Sequence, residues 1–308
     1  MTCQNNMGLS LVVPAYNEQD GIRETLETVD EVLKGLKIAY ELVVVNDGST
    51  DETRSRIEEF ESTALNVINH PTNSGYGAAL KAGIRMAKYE VIGIIDADGS
   101  YEVNALRRLY LSMEEGFDMS VATRKNISEK DKLLKGLFRK TVHWLIRVLI
   151  DRRIEDLNSG LRMFRRSRVI EFLPFLCNTF SFTTSLTIFF FERGHFVAYV
   201  PTTYVTRKGM SKVRHGRDTL RAIQMIIQGV SFFNPIKIFI FIGIAMVILV
   251  CIPAMVLAMM EMATLSAYFM LFGSVMTILF ALGIIGDIVR VSGIRSRSPV
   301  RADEEIDL

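Results

Sequence analysis

Residues 90–100 have the sequence EVIGIIDADGS, an apolar run that stops abruptly at two aspartates and a glycine. A short continuous apolar run closed by turn residues is typical of a strand buried on both faces, as in a parallel sheet. Ligands of such sheets bind at the carboxyl ends of the strands. The stretch therefore predicts a buried strand that carries Asp96 and Asp98 to a ligand-binding edge.

The residues before this strand alternate between strand-like and helix-like patterns. Apolar runs rich in β-branched residues alternate with stretches of helical character, and Asn17 or Asp20 is available to cap the N-terminus of the first helix. This alternation predicts an α/β fold with a mostly parallel sheet and helices on both faces. The strands are expected at 9–14, 41–50 and 65–70, and the helices at 19–36, 51–62 and 73–89.

Polar clusters follow three of the strands: PAYNE at 14–18, NDGST at 46–50 and DADGS at 96–100. Asp96 and Asp98 have the spacing to share a divalent cation with substrate phosphates, although Asp-Ala-Asp-Gly is also ordinary turn chemistry. The NDGST cluster is likewise either a turn or a hydrogen-bond acceptor for a nucleobase or ribose. Because all three clusters end strands, we expect them to meet at one edge of the sheet.

A glycine-led segment precedes the third helix. Gly75, Gly77 and Gly83 resemble a dinucleotide-binding fingerprint only weakly, because the third glycine is misplaced and the segment is the third crossover rather than the first. The chain contains no P-loop motif. We interpret these glycines as positions where backbones pack closely at the rim of the site.

The C-terminal part is strongly apolar. Residues 238–260 and 263–286 carry no charge, and only Glu261 and Met262 separate them. A membrane-spanning helix needs about 20 apolar residues, so we predict a transmembrane hairpin rather than a helix pair buried in a soluble core. Pro253 is expected to kink the first helix. Basic residues flank both outer ends and the turn has none, which predicts that both termini are cytosolic.

Two further stretches combine apolar and basic residues. Residues 131–153 contain leucines at helical spacing beside a basic face, with Trp144 among them, and residues 217–233 have a similar character. Such a pattern fits a helix lying in the lipid headgroup plane, or equally an amphipathic helix packed on its own domain.

Charge and cysteine content exclude other classes. The net charge of +2 does not indicate a nucleic-acid binder, which needs clustered excess Lys and Arg. Cys3, Cys177 and Cys251 lack paired spacing, so neither a disulfide framework nor a cysteine zinc site is expected. The N-terminus shows no secretory signal pattern, and we expect cytosolic chemistry.

Taken together and in order, these motifs resemble those of the family 2 glycosyltransferases of GT-A fold. The chain is most similar to the branch of dolichyl-phosphate mannosyltransferase-like enzymes and bacterial polyprenyl-phosphate glycosyltransferases. The resemblance covers roughly residues 9–292. It includes the motifs above and four later ones, which are ATRKN at 122–126, DLNSGLRMFRR at 156–166, RKGMSK at 207–212 and GIIGDIVR at 283–290.

This resemblance implies a metal-dependent, inverting hexosyltransferase that moves a sugar from GDP-mannose or a UDP-hexose to dolichyl or undecaprenyl phosphate. Mg²⁺ or Mn²⁺ would be held by Asp96 and Asp98, with Ala97 and Ser100 beside them. Arg124, Arg207 and Lys212 would face the donor and acceptor phosphates, and Arg139 would catch the lipid phosphate. The nucleoside would be lined by Pro14, Tyr16, Glu18, Val45 and Asp47.

Some positions depart from the family pattern: Asn46 replaces a frequent Asp, Leu161 replaces a Phe, and Ser100 stands where a Gln can ligate the metal. We expect these changes to affect the choice of donor. Three alternatives stay open. They are a processive polysaccharide synthase, whose Gln-x-x-Arg-Trp helix is not matched around Trp144, a transferase with another lipid-linked acceptor, and a non-catalytic scaffold that binds nucleotide sugar.

The predicted organisation is a membrane protein with two spans and a cytosolic catalytic domain, and the resemblance leaves self-association open. The expected segments are a GT-A domain at 1–215, an interface linker at 216–235, a two-helix membrane segment at 236–290 with spans at about 236–260 and 263–288, and a polar cytosolic tail at 291–308.

Overall fold

The computed structural model describes residues 8–124, 154–157, 159–179, 181–203 and 235–297. The chain divides into two compact units, residues 1–225 and 226–308. The first unit contains the sheet and the polar strand ends. The second unit contains the apolar C-terminal helices.

A seven-stranded mixed sheet forms the first unit, in the order β3-β2-β1-β4-β6-β5-β7. Only β6 runs antiparallel to its two neighbours, β4 and β5, and the other pairs are parallel. The mostly parallel sheet predicted from the sequence is therefore confirmed. The strands are β1 Leu9–Ala15, β2 Tyr40–Asn46, β3 Leu65–Asn69, β4 Val91–Ile94, β5 Met119–Arg124, β6 Arg162–Arg165 and β7 Val197–Thr202.

Helices connect these strands and cover both faces of the sheet. Successive side chains of β1 point to opposite faces of the sheet. On one face, Leu9, Leu11 and Val13 join a buried core with residues of the first, second and fourth helices. On the other face, Val12 packs against Gly83 of the third helix. The helices are α1 Ile22–Leu36, α2 Thr53–Glu58, α3 Tyr76–Met86, α4 Ala105–Glu114, α5 Arg166–Val169 and α6 Phe182–Glu192, with a 3-10 turn at Leu173–Phe175.

The second unit is a helical hairpin. Its first arm comprises α7 Pro235–Met246, a π-helical turn Val247–Cys251 and α8 Ile252–Met259, and its second arm is α9 Ala263–Arg297. The π turn lies just before Pro253, whose missing N–H and ring disturb the regular ladder, so the kink predicted at this proline has a physical basis. Gly273 lets the arms approach, because a Cβ there would lie 2.5 Å from Val250 Cγ1.

Both arms are long and apolar enough to cross a membrane. The two candidate membrane spans are Pro235–Met259 and Ala263–Gly286, with mean hydropathies of 3.0 and 2.2. Of the most apolar stretch of each arm, 11% and 6% are buried.

Some details differ from expectation. Helix α1 begins at Ile22 with Gly21 as its N-cap, and no side chain caps it, because Asn17 bonds to the neighbouring loop instead. Helix α9 continues to Arg297, past the end predicted at 288. The amphipathic stretches predicted at 131–153 and 217–233 lie outside the described residues.

Candidate functional site

The loops that follow β1 and β2 are joined by reciprocal hydrogen bonds. Asn17, at a φ of 51°, accepts from the Thr50 N–H at 2.8 Å and donates to its hydroxyl. The Glu18 N–H donates to Thr53 Oγ1 at 2.8 Å. Asn and other short polar residues tolerate this left-handed conformation because their side chains bond locally. The loops therefore hold Tyr16 and Glu18 at the carboxyl end of β1.

Asp47 organises the rim of the site. Its buried carboxylate accepts from the N–H groups of Ser74 at 3.0 Å and Gly75 at 2.8 Å, and it contacts His70 Nδ1 at 2.7 Å. The Asp47 N–H donates to Ala15 O at 2.8 Å, which fixes the residue beside the end of β1. This carboxylate thus ties the end of β2 to the start of α3.

Asp96 follows β4 and is enclosed from two sides. The Tyr76 hydroxyl donates to Asp96 Oδ1 at 2.8 Å. On another side lies Gly160, where an added Cβ would come within 2.8 Å of Oδ1 and 2.7 Å of Cγ and closer still to Oδ2. Burial, followed by the negative charge of Asp96, raises the pKa of Tyr76 well above its ordinary value, so its hydroxyl stays protonated and donates.

The Gly160 segment is held by a buried arginine and a tyrosine. Arg162 is fully buried and donates to the carbonyls of Ser159, Leu157 and Thr183 and to the Thr187 hydroxyl. Burial lowers the pKa of its guanidinium, and the negative charge of Asp156 offsets part of this effect. The Gly160 N–H donates to the Tyr101 hydroxyl at 2.6 Å.

The N-terminal half of α3 packs on residues 176–178. The Lys81 ammonium, almost fully buried, donates to Leu176 O and to Asn178 Oδ1 at 2.6 Å. Burial lowers the pKa of Lys81. A Cβ on Gly75 would lie 2.7 Å from Asn178 O, and one on Gly77 would overlap Cys177 O. The close backbone packing predicted for Gly75 and Gly77 is confirmed, whereas Gly83 packs on the side chains of Val12 and Val45.

Asp98 lies in the turn after β4. Its side chain is buried, and its Oδ1 accepts the Ser100 N–H at 3.0 Å. The preceding carbonyl, Ala97 O, accepts from Thr25 Oγ1 at 3.1 Å, so α1 packs on this turn. The described residues contain no cluster of three or more His, Cys, Asp or Glu that would cage a metal. Two carboxylates suit a cation that takes its remaining ligands from phosphates and water.

The structure brings many of the predicted residues to one edge. Pro14 and Val45 are partners in the β1–β2 register, and Asp47, Asp96, Ala97, Asp98 and Ser100 follow β2 and β4. The backbone of Arg124 ends β5, opposite Thr202 of β7, but its side chain is outside the described residues. Arg139, Arg207 and Lys212 also lie outside the described residues.

Sequence reasoning missed Tyr76, Gly160 and Lys81 as parts of this site. Their partners lie 20 to 97 positions away along the chain, so local patterns give little sign of them. Gly160 and Arg162 fall inside the DLNSGLRMFRR motif, and that glycine was the one available signal of a close approach.

The amino-acid sequence is similar to one known protein family and to enzymes that act on polyprenyl phosphates. The family model described as Glycosyl transferase family 2 matches residues 10–173, just over half of the chain. An undecaprenyl-phosphate 4-deoxy-4-formamido-L-arabinose transferase of Pseudomonas fluorescens is 30% identical over 61% of this chain and 58% of its own length. A dolichyl-phosphate beta-glucosyltransferase of Dictyostelium discoideum is 29% identical over 56% and 58%. The chain thus spans a little over half the length of these relatives.

Solved structures share the fold. Glucosyl-3-phosphoglycerate synthase from Mycobacterium tuberculosis, in complex with Mn²⁺ and uridine-diphosphate-glucose, superposes with a TM-score of 0.60 at 18% identity. The match covers 73% of this chain and 79% of that one. At this identity the likeness concerns the fold alone, and it confirms the GT-A architecture expected from the motifs.

Proposed function

Because the chain belongs to glycosyl transferase family 2, we propose that it transfers a hexose from a nucleotide-diphosphate sugar to the phosphate of a polyprenol. One structural observation carries this proposal: the polar ends of β1, β2 and β4 meet at one sheet edge, with Asp96 against the Gly160 segment. The polyprenyl-phosphate substrates named for the Pseudomonas and Dictyostelium relatives support the acceptor. The donor would be GDP-mannose or a UDP-hexose, and the acceptor dolichyl or undecaprenyl phosphate.

The residues present fit a divalent metal. Asp98 is buried, Asp96 is partly buried, and the absence of a Cβ at Gly160 lets the Asp96 carboxylate lie against that backbone. One or two carboxylates completed by substrate phosphates and water is the usual donor set for Mg²⁺. Such an ion, when bound, supplies positive charge to the departing diphosphate. The Mn²⁺ complex of the mycobacterial synthase supports the same assignment without separating Mg²⁺ from Mn²⁺.

The chain's own groups would act by holding the two substrates in line. Pro14, Tyr16, Glu18, Val45 and Asp47 would line the nucleoside. A phosphate monoester is already anionic near neutral pH, so no strong general base is required. An acceptor phosphate oxygen would bond to the anomeric carbon as the bond to the nucleotide breaks, and the diphosphate would leave with the electron pair. One such displacement inverts the anomeric centre, and its rate would depend on alignment and charge stabilisation.

Basic residues complete the proposal. Arg124, Arg207 and Lys212 would neutralise the donor and acceptor phosphates, and Arg139 would bind the lipid phosphate. Cations beside a developing phosphate charge lower the barrier most in a site from which water is excluded. These roles follow from the motif resemblance.

We also propose that α7 to α9 anchor the chain in the bilayer, with the catalytic domain and both termini cytosolic. The support is the length, exposure and apolar character of both arms. A membrane anchor suits an acceptor whose polyprenyl chain is confined to the bilayer. We propose the segment boundaries drawn from the sequence, which place the catalytic domain at 1–215 and the two spans within 236–290.

The experiment uses the full chain in detergent with polyprenyl phosphate, Mg²⁺ or Mn²⁺ and a panel of labelled nucleotide sugars. Label is expected to move into the organic phase as an acid-labile lipid monophosphate, and EDTA is expected to abolish the transfer. Parallel reactions offer diacylglycerol or a lipid-linked saccharide. Transfer only to one of those acceptors would overturn the polyprenyl-phosphate assignment. Donor binding without turnover would overturn the catalytic assignment and favour a non-catalytic scaffold that binds nucleotide sugar.

Gly160→Ala tests the close approach at Asp96. The new methyl group is expected to push the carboxylate aside and to lower transfer about tenfold, because small displacements of catalytic groups are costly. Gly35→Ala is the matched control: Gly35 lies in α1 with nothing within 4 Å of an added Cβ, and Ala favours a helix there. Initial rates of lipid labelling compare the two. Equal rates for Gly160→Ala and the unmodified chain would contradict the prediction.

A further inference from the structure

Two separate groups fix the Asp96 carboxylate. The Tyr76 hydroxyl donates to Oδ1 at 2.8 Å, and the Gly160 backbone lies against the carboxylate. Arg162 holds the carbonyls of Ser159 and Leu157, and Tyr101 holds the Gly160 N–H, so the segment that faces Asp96 is itself immobilised. Rotation of the carboxylate would break the tyrosine hydrogen bond or meet the backbone.

Tyr76 is well placed to act as a fixed support. It is the first residue of α3, and its neighbour Gly75, at a φ of 103°, donates its N–H to Asp47 Oδ2 at 2.8 Å. Two residues on, the Ala78 N–H donates to Asn178 O at 3.1 Å. The first turn of α3 therefore joins the carboxylate after β2 to the carboxylate after β4.

We propose that Tyr76 is a positioning residue, which orients the Asp96 carboxylate toward a divalent cation and links that orientation to the nucleoside side of the site through Gly75 and Asp47. This inference rests on the proposed function, and it adds a residue that acts through Asp96 rather than on the substrate. Groups that hydrogen-bond to metal ligands fix the ligand's orientation, and their loss typically costs 10–100-fold in metal affinity.

The test is Tyr76→Phe in the full chain in detergent, with Mn²⁺ as the probe. Mn²⁺ is titrated in the presence of UDP and, separately, of GDP, and free Mn²⁺ is measured by electron paramagnetic resonance. The variant keeps the ring and loses only the hydroxyl. Its apparent Mn²⁺ affinity is expected to fall about tenfold.

Tyr40→Phe is a close control. The Tyr40 hydroxyl donates to Asp30 Oδ1 at 2.7 Å, the same kind of bond, but at the start of β2 rather than beyond its carboxyl end. Removing it is expected to leave Mn²⁺ affinity unchanged. A second perturbation, Gly160→Ala, presses on the same carboxylate and is expected to weaken Mn²⁺ binding by a similar factor, so the test does not depend on one variant.

The outcomes separate the inference from the function beneath it. If the unmodified chain takes up no Mn²⁺ with either nucleotide, the proposed metal site fails and the inference fails with it. If the unmodified chain binds Mn²⁺ and Tyr76→Phe binds it equally well, only the inference is overturned. In an Asp96→Asn background Tyr76→Phe is expected to have no further effect, and an undiminished tenfold loss there would show that the tyrosine acts elsewhere.

Discussion

Asp98→Asn is expected to lower the rate of sugar transfer by about 10²–10³-fold while leaving the fold intact. Asn has the same shape as Asp, and its oxygen can still accept the Ser100 N–H that Asp98 accepts at 3.0 Å. The change therefore removes a negative charge and little else. If transfer depends on charge stabilisation of the departing diphosphate, loss of one of two carboxylates costs several kcal/mol in the transition state.

The control for this prediction is Asp30→Asn, which makes the same chemical change in another buried position. Asp30 accepts from the Tyr40 hydroxyl at 2.7 Å and pairs with Lys34 at 2.6 Å. Its replacement is expected to lower stability without changing transfer by more than about twofold, because Asp30 bonds to Tyr40 at the start of β2 whereas ligands of such sheets bind at the carboxyl ends of the strands. The measurement is the initial rate of lipid labelling at saturating donor, with circular dichroism to confirm folding. Retention of more than a tenth of the rate by Asp98→Asn would exclude the metal role proposed for it.

Arg162→Met is expected to destabilise the chain by about 3–4 kcal/mol, which is a fall in Tm of about 10 °C for a domain of this size. Arg162 is fully buried and donates to carbonyls on two segments, around Ser159 and at Thr183. Methionine fills a similar volume but donates nothing, so several buried acceptors lose their partners. Each unsatisfied buried group costs about 1–3 kcal/mol.

Arg23→Met provides the comparison. Arg23 forms ion pairs with Glu27 at 2.9 Å and Glu59 at 3.2 Å, but all three side chains are about half exposed. Its loss is expected to change Tm by no more than about 2 °C, because exposed ion pairs contribute little. Thermal unfolding of the full chain in detergent, followed by circular dichroism, measures both variants. A smaller shift for Arg162→Met than for Arg23→Met would refute the assignment of Arg162 as the main buried support of the Gly160 segment.

Some features of the site followed from the sequence and others did not. The strand ends at Asp47 and Asp96 could be predicted, because an apolar run followed by Asp and Gly is a local pattern. The partners of these carboxylates could not, because His70, Tyr76 and Gly160 reach them only through crossovers of the sheet. Asp47 illustrates the difference: expected to line the nucleoside, it also holds the N–H groups of Ser74 and Gly75.

By itself, the sequence of this protein determined the order of the first four strands and of the three helices between them, the polar character of the strand ends and two apolar helices of spanning length. These properties depend on hydrophobic periodicity and turn residues, which act over a few positions. Only the tertiary structure decided that β6 runs antiparallel between β4 and β5, and that Tyr76, Gly160 and Arg162 together fix the orientation of Asp96. The physical reason is distance along the chain: such contacts depend on how separate crossovers pack on one sheet, and no local pattern encodes that packing.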